Sequence, residues 1–353
     1  MRARHVLAAL ALTAALAAPA AAQQIHKITI IAGHPPVFLW VKLTDEIFIP
    51  EVDKRLAAAG GRHKIEWNRG WGGTVAKLGT ELEAIQDGLA DMGFVSSIFQ
   101  AAKLPLQNVT YYAPFGTEDV GLVTRIVDDI HAKVPAMRDT WERHGNVYLA
   151  GAALDAYHLL TNFPVAKVDD LKGRKLAAPG PAANWLKGTG GVPVAANLNT
   201  YYNDIKTGVY DGTLTFMTAA APAKLQEVAP NIVKINFGAQ FAGGLTISKR
   251  VHDRLPAEVR DVIKAAARDW AKAFAEEQAK RVAASVGAMT AAGGKVVEVA
   301  AAERQKWVDA MPNIAKEWAE DLEKKGLPGN AVLAAWMDGL RQAGAKPIRN
   351  WDK

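Results

Sequence analysis

The sequence contains no cysteine, which excludes disulfide staples and thiolate metal sites and leaves stability to packed interiors. It also lacks any run of lysine and arginine interleaved with aromatic residues: 42 basic and 36 acidic side chains are dispersed along the chain, for a formal charge of +6, or +4 without Arg2 and Arg4. That balance argues against a nucleic-acid partner. The eight histidines form no H-E-x-x-H pair and no other close pair at metal-ligand spacing, so no metal is expected. No Gly-x-Ser-x-Gly elbow is present; Ser96 and Ser97 have no flanking glycines, which speaks against a nucleophilic serine. The segment Gly188-Thr189-Gly190-Gly191 lacks the spacing and the Lys-Ser/Thr ending of a phosphate loop and reads as a packing turn. No catalytic residue and no cofactor is expected, and the chain reads as something other than an enzyme.

Long apolar runs are missing too, with one short exception at the start. Arg2 and Arg4 precede an apolar stretch from Val6 to Ala18, followed by Pro19 and Ala20-Ala21-Ala22. The stretch is shorter than the roughly 18–20 residues that span a bilayer, and the small residues fit a signal-peptidase site before Gln23. Residues 1–22 are therefore expected to be a cleaved signal peptide and the mature protein to be exported.

What remains is rich in core material: hydrophobic residues make up 50% of the sequence and there are 10 tryptophans. About 330 residues exceed one typical core, so two domains are expected. Strand-like and helix-like segments alternate. His26 to Ala32 reads as a buried strand stopped by Gly33-His34-Pro35-Pro36; Trp40, Leu43, Ile47, Val52 and Leu56 recur at helical spacing. Strands are expected again at Lys64 to Trp67 and Asp91 to Val95, the latter emptying into Ser96-Ser97. Between them the glycine-rich loop Gly70 to Thr74 leads into a helix holding Leu78, Leu82 and Ile85. The second half repeats this pattern with strands at Val147 to Ala152, Tyr157 to Thr161, Gly173 to Ala178 and Val209 to Phe216, and a short helix from Tyr201 to Gly208. Beyond Pro256, the spacing of Val259, Ile263, Ala266, Trp270 and Phe274 predicts one long amphipathic helix. Such alternation predicts an α/β fold with mostly parallel sheets and helices on their faces.

Four segments, in order, resemble the solute-binding proteins of TRAP (tripartite ATP-independent periplasmic) transporters. They are Leu82 to Gly93 (LEAIQDGLADMG), Asp169 to Lys175 (DDLKGRK), Tyr202 to Gly212 (YNDIKTGVYDG), and Ile247-Ser248-Lys249 with Leu255 to Val259. The resemblance spans nearly all of the mature chain. It implies a two-domain periplasmic binding protein fold of the type II-like kind, with a ligand cleft between the domains and a long helix spanning both. Domain I is expected at 23–154 plus 242–281 and domain II at 155–241 plus 282–353. The resemblance further implies a monomer in the periplasm that captures a small organic acid by hinge closure and delivers it to membrane subunits driven by an ion gradient. Alternatives that the residues leave open are a neutral or cationic solute, an ATP-driven importer as the partner, or a periplasmic hydrolase.

One departure from the family's pattern bears on the ligand. The arginine that pairs with the ligand carboxylate in many members would fall at Ala177, and Arg174, three residues earlier, points to the opposite face of the strand. Tyr157 stands where relatives for sialic-acid-type ligands carry a second arginine. A site poorer in cations predicts a monocarboxylate with an aromatic or branched apolar part rather than a dicarboxylate. The candidate ligand-binding residues are His34, Trp71, Lys77, Ser96, Ser97, Tyr157, Trp185, Thr215 and Phe216. His34 follows a strand, where α/β proteins place ligands, though a satisfied turn histidine reads equally well. Lys77, with Arg69 as a more distant substitute, would supply a cation if it is not an ordinary surface charge. Ser96 and Ser97 would donate hydroxyls or cap a helix. Tyr157 is expected to face the cleft and His158 to face away from it. Trp71, Trp185 and Phe216 would offer aromatic walls, and Thr215 occupies a position where relatives often carry a ligand-binding asparagine.

Overall fold

The computed structural model describes residues 23–353; the expected signal peptide lies outside the described residues. Among the described residues, eleven strands form two separate sheets. The first holds β1 (Gln24–Ile31), β2 (His63–Gly70), β3 (Met92–Ser96), β4 (Asn146–Leu154) and, much later in the chain, β10 (Gln240–Ser248), in the order β2-β1-β3-β10-β4. The second holds β5 (Tyr157–Thr161), β6 (Lys175–Ala178), β7 (Val192–Ala195), β8 (Gly212–Phe216), β9 (Asn231–Lys234) and β11 (Lys295–Glu298), in the order β11-β9-β5-β8-β6-β7.

The chain passes between the sheets at β4 to β5, through Asp155-Ala156, and back at β9 to β10, through 235–239. The two crossings are stitched to each other: Tyr157 N–H donates to the Gly238 carbonyl at 3.1 Å and Phe237 N–H to the Tyr157 carbonyl at 2.9 Å. These crossings make the sheets less parallel than the alternation of elements predicts. β10 runs antiparallel between β3 and β4, and β5 runs antiparallel between β8 and β9. A strand that enters a sheet from the other half of the molecule has no helical crossover to turn it, so it arrives in the opposite sense.

The long helix runs from Ala257 to Ala291, 35 residues, or about 52 Å at 1.5 Å per residue. Its buried face includes Val259, Ile263, Ala266, Trp270, Phe274 and Gln278, with Met289 near its end. It packs on β4 and on helix Val120–Lys133 beside the first sheet, and on helix Met217–Ala220, which continues from β8 of the second. Helix Ala301–Ala310 leans on the turn Val168–Leu171 of the second sheet's side, while helices Ile314–Lys324 and Gly329–Gln342 return to pack on Val109–Tyr112 and Val120–Lys133. Trp351 closes that return by donating its indole N–H to the Pro114 carbonyl at 2.7 Å.

Candidate functional site

The loop ends of β1, β3, β5, β6 and β8 converge between the two sheets on one small cavity. From the first sheet's side come His34, Trp40, Phe94, Ser96, Phe99 and Tyr111; from the second come Tyr157, Pro179, Leu198, Tyr201, Thr215 and Phe216. The cavity measures about 30 Å3, room for about two water molecules at the roughly 10–15 Å3 that each requires. Any larger solute needs the walls to part.

Two contacts hold the lips of this cavity together. Asn199 Nδ2, in the loop before helix Tyr201–Lys206, donates to the Gly33 carbonyl at 3.5 Å. At the other lip Gly180 lies against Ile98: a Cβ on Gly180 would meet the Ile98 carbonyl oxygen at 2.4 Å, and the backbone there has φ +45°. Only glycine fits both that conformation and that approach.

The walls are mostly aromatic. Trp40 stacks on Phe38 with rings 5.1 Å apart and 3° from parallel, and lies 6.1 Å from Phe216 across the cavity. Phe216 in turn lies 5.1 Å from Tyr157. The hydroxyls of Tyr111 and Tyr157 are 3.3 Å apart, and burial raises the ionisation of both phenols, so they stay neutral donors and acceptors. His34 is 3% exposed, and its imidazole stands edge-on to Phe38 and Trp40. Burial lowers its pKa to about 3, so the ring is neutral at neutral pH. Three polar atoms here are buried without a hydrogen-bond partner among the described residues: His34 Nε2, Trp40 Nε1 and Thr215 Oγ1. No lysine, arginine, aspartate or glutamate lines the cavity among the described residues. Unpaired buried polar atoms are costly and rare, and three of them on the walls of one cavity form a polar anchor for a mostly apolar guest.

Of the residues singled out from sequence, His34, Ser96, Tyr157, Thr215 and Phe216 lie on this cavity and four do not. Lys77 is exposed outside it. The helix expected to carry Lys77 begins only at Glu81, because Gly79, at φ +83°, breaks the backbone in between. Ser97 is fully buried behind the wall, its hydroxyl 3.4 Å from the Ala242 carbonyl and its own carbonyl accepting from Asn108 Nδ2. Trp185 is a supporting layer: it stacks on Tyr111 and Phe237, meets Tyr157 edge-on, and donates its indole N–H to the Tyr111 carbonyl at 2.7 Å. Trp71 is half-buried against the first sheet's core and does not reach the cavity. Arg69 is paired with Asp45 on the surface. His158 faces away, as alternation predicts, its Nδ1 accepting from Asn236 N–H at 3.1 Å.

Neither Ala177 nor Arg174 lines the cavity. Ala177 is fully buried in the second sheet's core with Leu160, Tyr201, Ile205 and Met217, and Tyr201 reaches from there to the cavity. Arg174 lies with its guanidinium 4.3 Å above the Phe163 ring, a cation–π contact remote from the cavity. Trp40, Phe99, Tyr111 and Tyr201 are cavity residues that sequence reasoning passes over. Trp40 carries a helical-spacing signal that reads as core, and Tyr111 belongs to no motif.

Comparison with known proteins adds the following. The family model for DctP, bacterial extracellular solute-binding protein, family 7, matches residues 59–321. A solute-binding protein of Albidiferax ferrireducens is 26% identical over 227 residues, 60% of this chain and 62% of that protein; the alignment thus spans less than two thirds of that relative's length. Among solved structures, a TRAP solute binding protein from Rhodoferax ferrireducens in complex with copurified benzoate superposes with a TM-score of 0.78 at 17% identity, covering 90% of this chain and 98% of that one. A TRAP periplasmic solute binding protein from Bordetella bronchiseptica with bound (R)- and (S)-mandelate gives 0.77 at 20% identity, covering 90% and 99%. At these identities the likeness is one of fold.

Proposed function

Because the chain belongs to family 7 of the bacterial extracellular solute-binding proteins, the solute-binding proteins of TRAP transporters, we propose that it captures a small monocarboxylic acid with an aromatic or branched apolar body in the cavity between its sheets. The observation that carries this reading is the cavity itself: aromatic walls, hydroxyls on both sides, unpartnered His34 Nε2, Trp40 Nε1 and Thr215 Oγ1, and no charged side chain on its lining among the described residues. The benzoate and mandelate held by relatives of this fold have the same chemistry, one carboxylate on an aromatic body. A second carboxylate would bring a second buried charge with no counter-charge, which costs several kcal/mol.

In this reading residues 1–22 are a signal peptide cleaved near Ala22, and the mature protein works in the periplasm as a monomer. Two units close on the solute by bending at Asp155-Ala156 and at 235–239, with the long helix bracing both. The units are 23–154 plus 242–281 and 155–241 plus 282–353, the last two helices reaching back onto the first. The closed form then docks on the membrane subunits of the transporter.

A second reading has its own support. The lack of any lysine or arginine on the cavity among the described residues suits a neutral solute of the same shape. Thermal-shift screening of the mature protein separates the two, since a ligand that binds only the native state raises the melting temperature. The panel contains aromatic and branched monocarboxylates, their amides, dicarboxylates, uronates, amines and polyols. A selective shift with monocarboxylates supports the proposal; a shift with amides and none with acids supports the neutral solute; a shift with dicarboxylates or amines alone overturns both.

A further inference from the structure

His34 is held as a base without a partner inside a cavity without a cation. Its ring is fixed edge-on by Phe38 at 5.4 Å and Trp40 at 5.0 Å and is flanked by Phe99 at 6.2 Å. The groups that titrate around it are few. Tyr111, Tyr157 and Tyr201 share the cavity with it and are neutral phenols. Behind the adjacent backbone, Glu81 accepts from Gly33 N–H at 3.0 Å and from Gly79 N–H at 2.7 Å, and burial raises it to about 7. On the elements that carry Trp40 and its continuation, Lys42 is in the exposed pair with Glu46. The turn Ser97–Gln100, which carries Phe99, has no ionisable side chain. Beyond Tyr157, Asp155 is occupied by Met217 N–H, Thr218 and Gln278. No arginine or lysine on these elements is placed to meet a carboxylate in the cavity.

A bare carboxylate in such a place is an unpaired buried charge. The imidazole of His34 removes that cost only if one proton enters with the anion, giving a pair of zero net charge. We propose that His34 is the specificity-determining residue of the site and that the solute is captured together with one proton from solvent, shared between His34 Nε2 and the ligand carboxylate. The balance is simple: protein, monocarboxylate anion and one proton give the complex, with no bond made or broken besides those to hydrogen. A dicarboxylate would need a second proton and a second base, and the cavity has neither. This rests on the reading of the chain as an acid-binding protein.

The pH dependence follows in sign. Free His34, at about 3, holds no proton at neutral pH, whereas the complex holds one. Between the free value and the higher value in the complex, affinity therefore falls about tenfold for each pH unit gained.

The experiment is titration calorimetry of the mature protein with benzoate, mandelate, pyroglutamate and branched 2-hydroxy acids from pH 5.5 to 8, each in two buffers of different ionisation enthalpy. We expect uptake of about one proton per ligand at pH 6.5 and about tenfold weaker binding at pH 7 than at pH 6. In His34→Gln the slope with pH disappears and binding is weak throughout. Where that variant fails to fold, the two-buffer measurement on the unaltered protein decides alone. An acid bound with no proton uptake and with pH-independent affinity overturns this inference and leaves the acid-binding reading standing. Binding of amides but of no acid overturns both.

Discussion

Gln278 on the long helix donates its side-chain amide to Asp155 Oδ1 at 2.8 Å, tying the helix to the first crossing between the sheets. The same carboxylate accepts from Met217 N–H at 2.9 Å and Thr218 Oγ1 at 2.6 Å, so one buried acid joins the crossing, the long helix and the start of the helix that follows β8.

Asp155→Asn sets an amide N–H2 against these donors. We expect a loss of about 1–3 kcal/mol, the cost of leaving buried partners unsatisfied. Burial raises Asp155 from 3.8 to about 6. Between those values the folded state holds the proton more tightly than the unfolded state, so this group's contribution to stability declines as pH rises from about 4 to 6 and is constant above. The advantage of the native protein over the variant should narrow across that window in urea unfolding followed at several pH values.

Thr215→Val keeps the shape of the side chain and removes a hydroxyl that has no partner among the described residues. Melting temperature is expected to hold or rise slightly, while acid affinity falls about fivefold to tenfold, the worth of one hydrogen bond near 1 kcal/mol. A fall in stability with unchanged affinity would assign Thr215 to the fold and not to the site.

Lys77→Ala is expected to leave affinity within about twofold, as for most surface substitutions, because the side chain is exposed outside the cavity. A loss beyond tenfold in a direct titration would mean that Lys77 reaches the solute in a form of the protein other than the closed one.

Ala177→Arg restores the arginine that the family's pattern would place there, but into a fully buried position among Leu160, Tyr201 and Met217. The variant should lose about 4 kcal/mol or more through overpacking and an unpaired buried charge, and it should gain no dicarboxylate binding. Thermal unfolding and a succinate titration test the two halves separately.

The periodicity that makes local structure is legible in the sequence; what depends on the meeting of distant segments is not. β5 occupies Tyr157–Thr161, where the sequence predicts a strand, and the long helix begins one residue after Pro256. β10 escapes notice because Gly243-Gly244 interrupts its pattern, although those glycines are what the packing requires: a Cβ on Gly243 would meet the Val95 carbonyl at 2.0 Å and one on Gly244 the Tyr148 ring at 2.5 Å. His34 stands out because it follows a strand end, where an α/β topology gathers ligands, whereas Thr215 is singled out only by the resemblance, as a position where relatives often carry a ligand-binding asparagine. Trp40 and Tyr201 lie on helices whose apolar positions look like any other core. They become cavity residues only because their helices, more than a hundred residues apart in the chain, meet across the gap between the two sheets. Lys77 falls outside the helix because a single glycine, Gly79, delays its start to Glu81.

The central claim is that an uncharged, aromatic-walled cavity between the sheets binds one monocarboxylic acid. Calorimetric titration of the mature protein with an aromatic monocarboxylate, beside its amide and the corresponding dicarboxylate, tests this most directly. The account predicts saturable binding of one acid per chain, with the amide and the dicarboxylate at least tenfold weaker. Preferential binding of the dicarboxylate or the amide, or no binding of any acid in the panel, would contradict it.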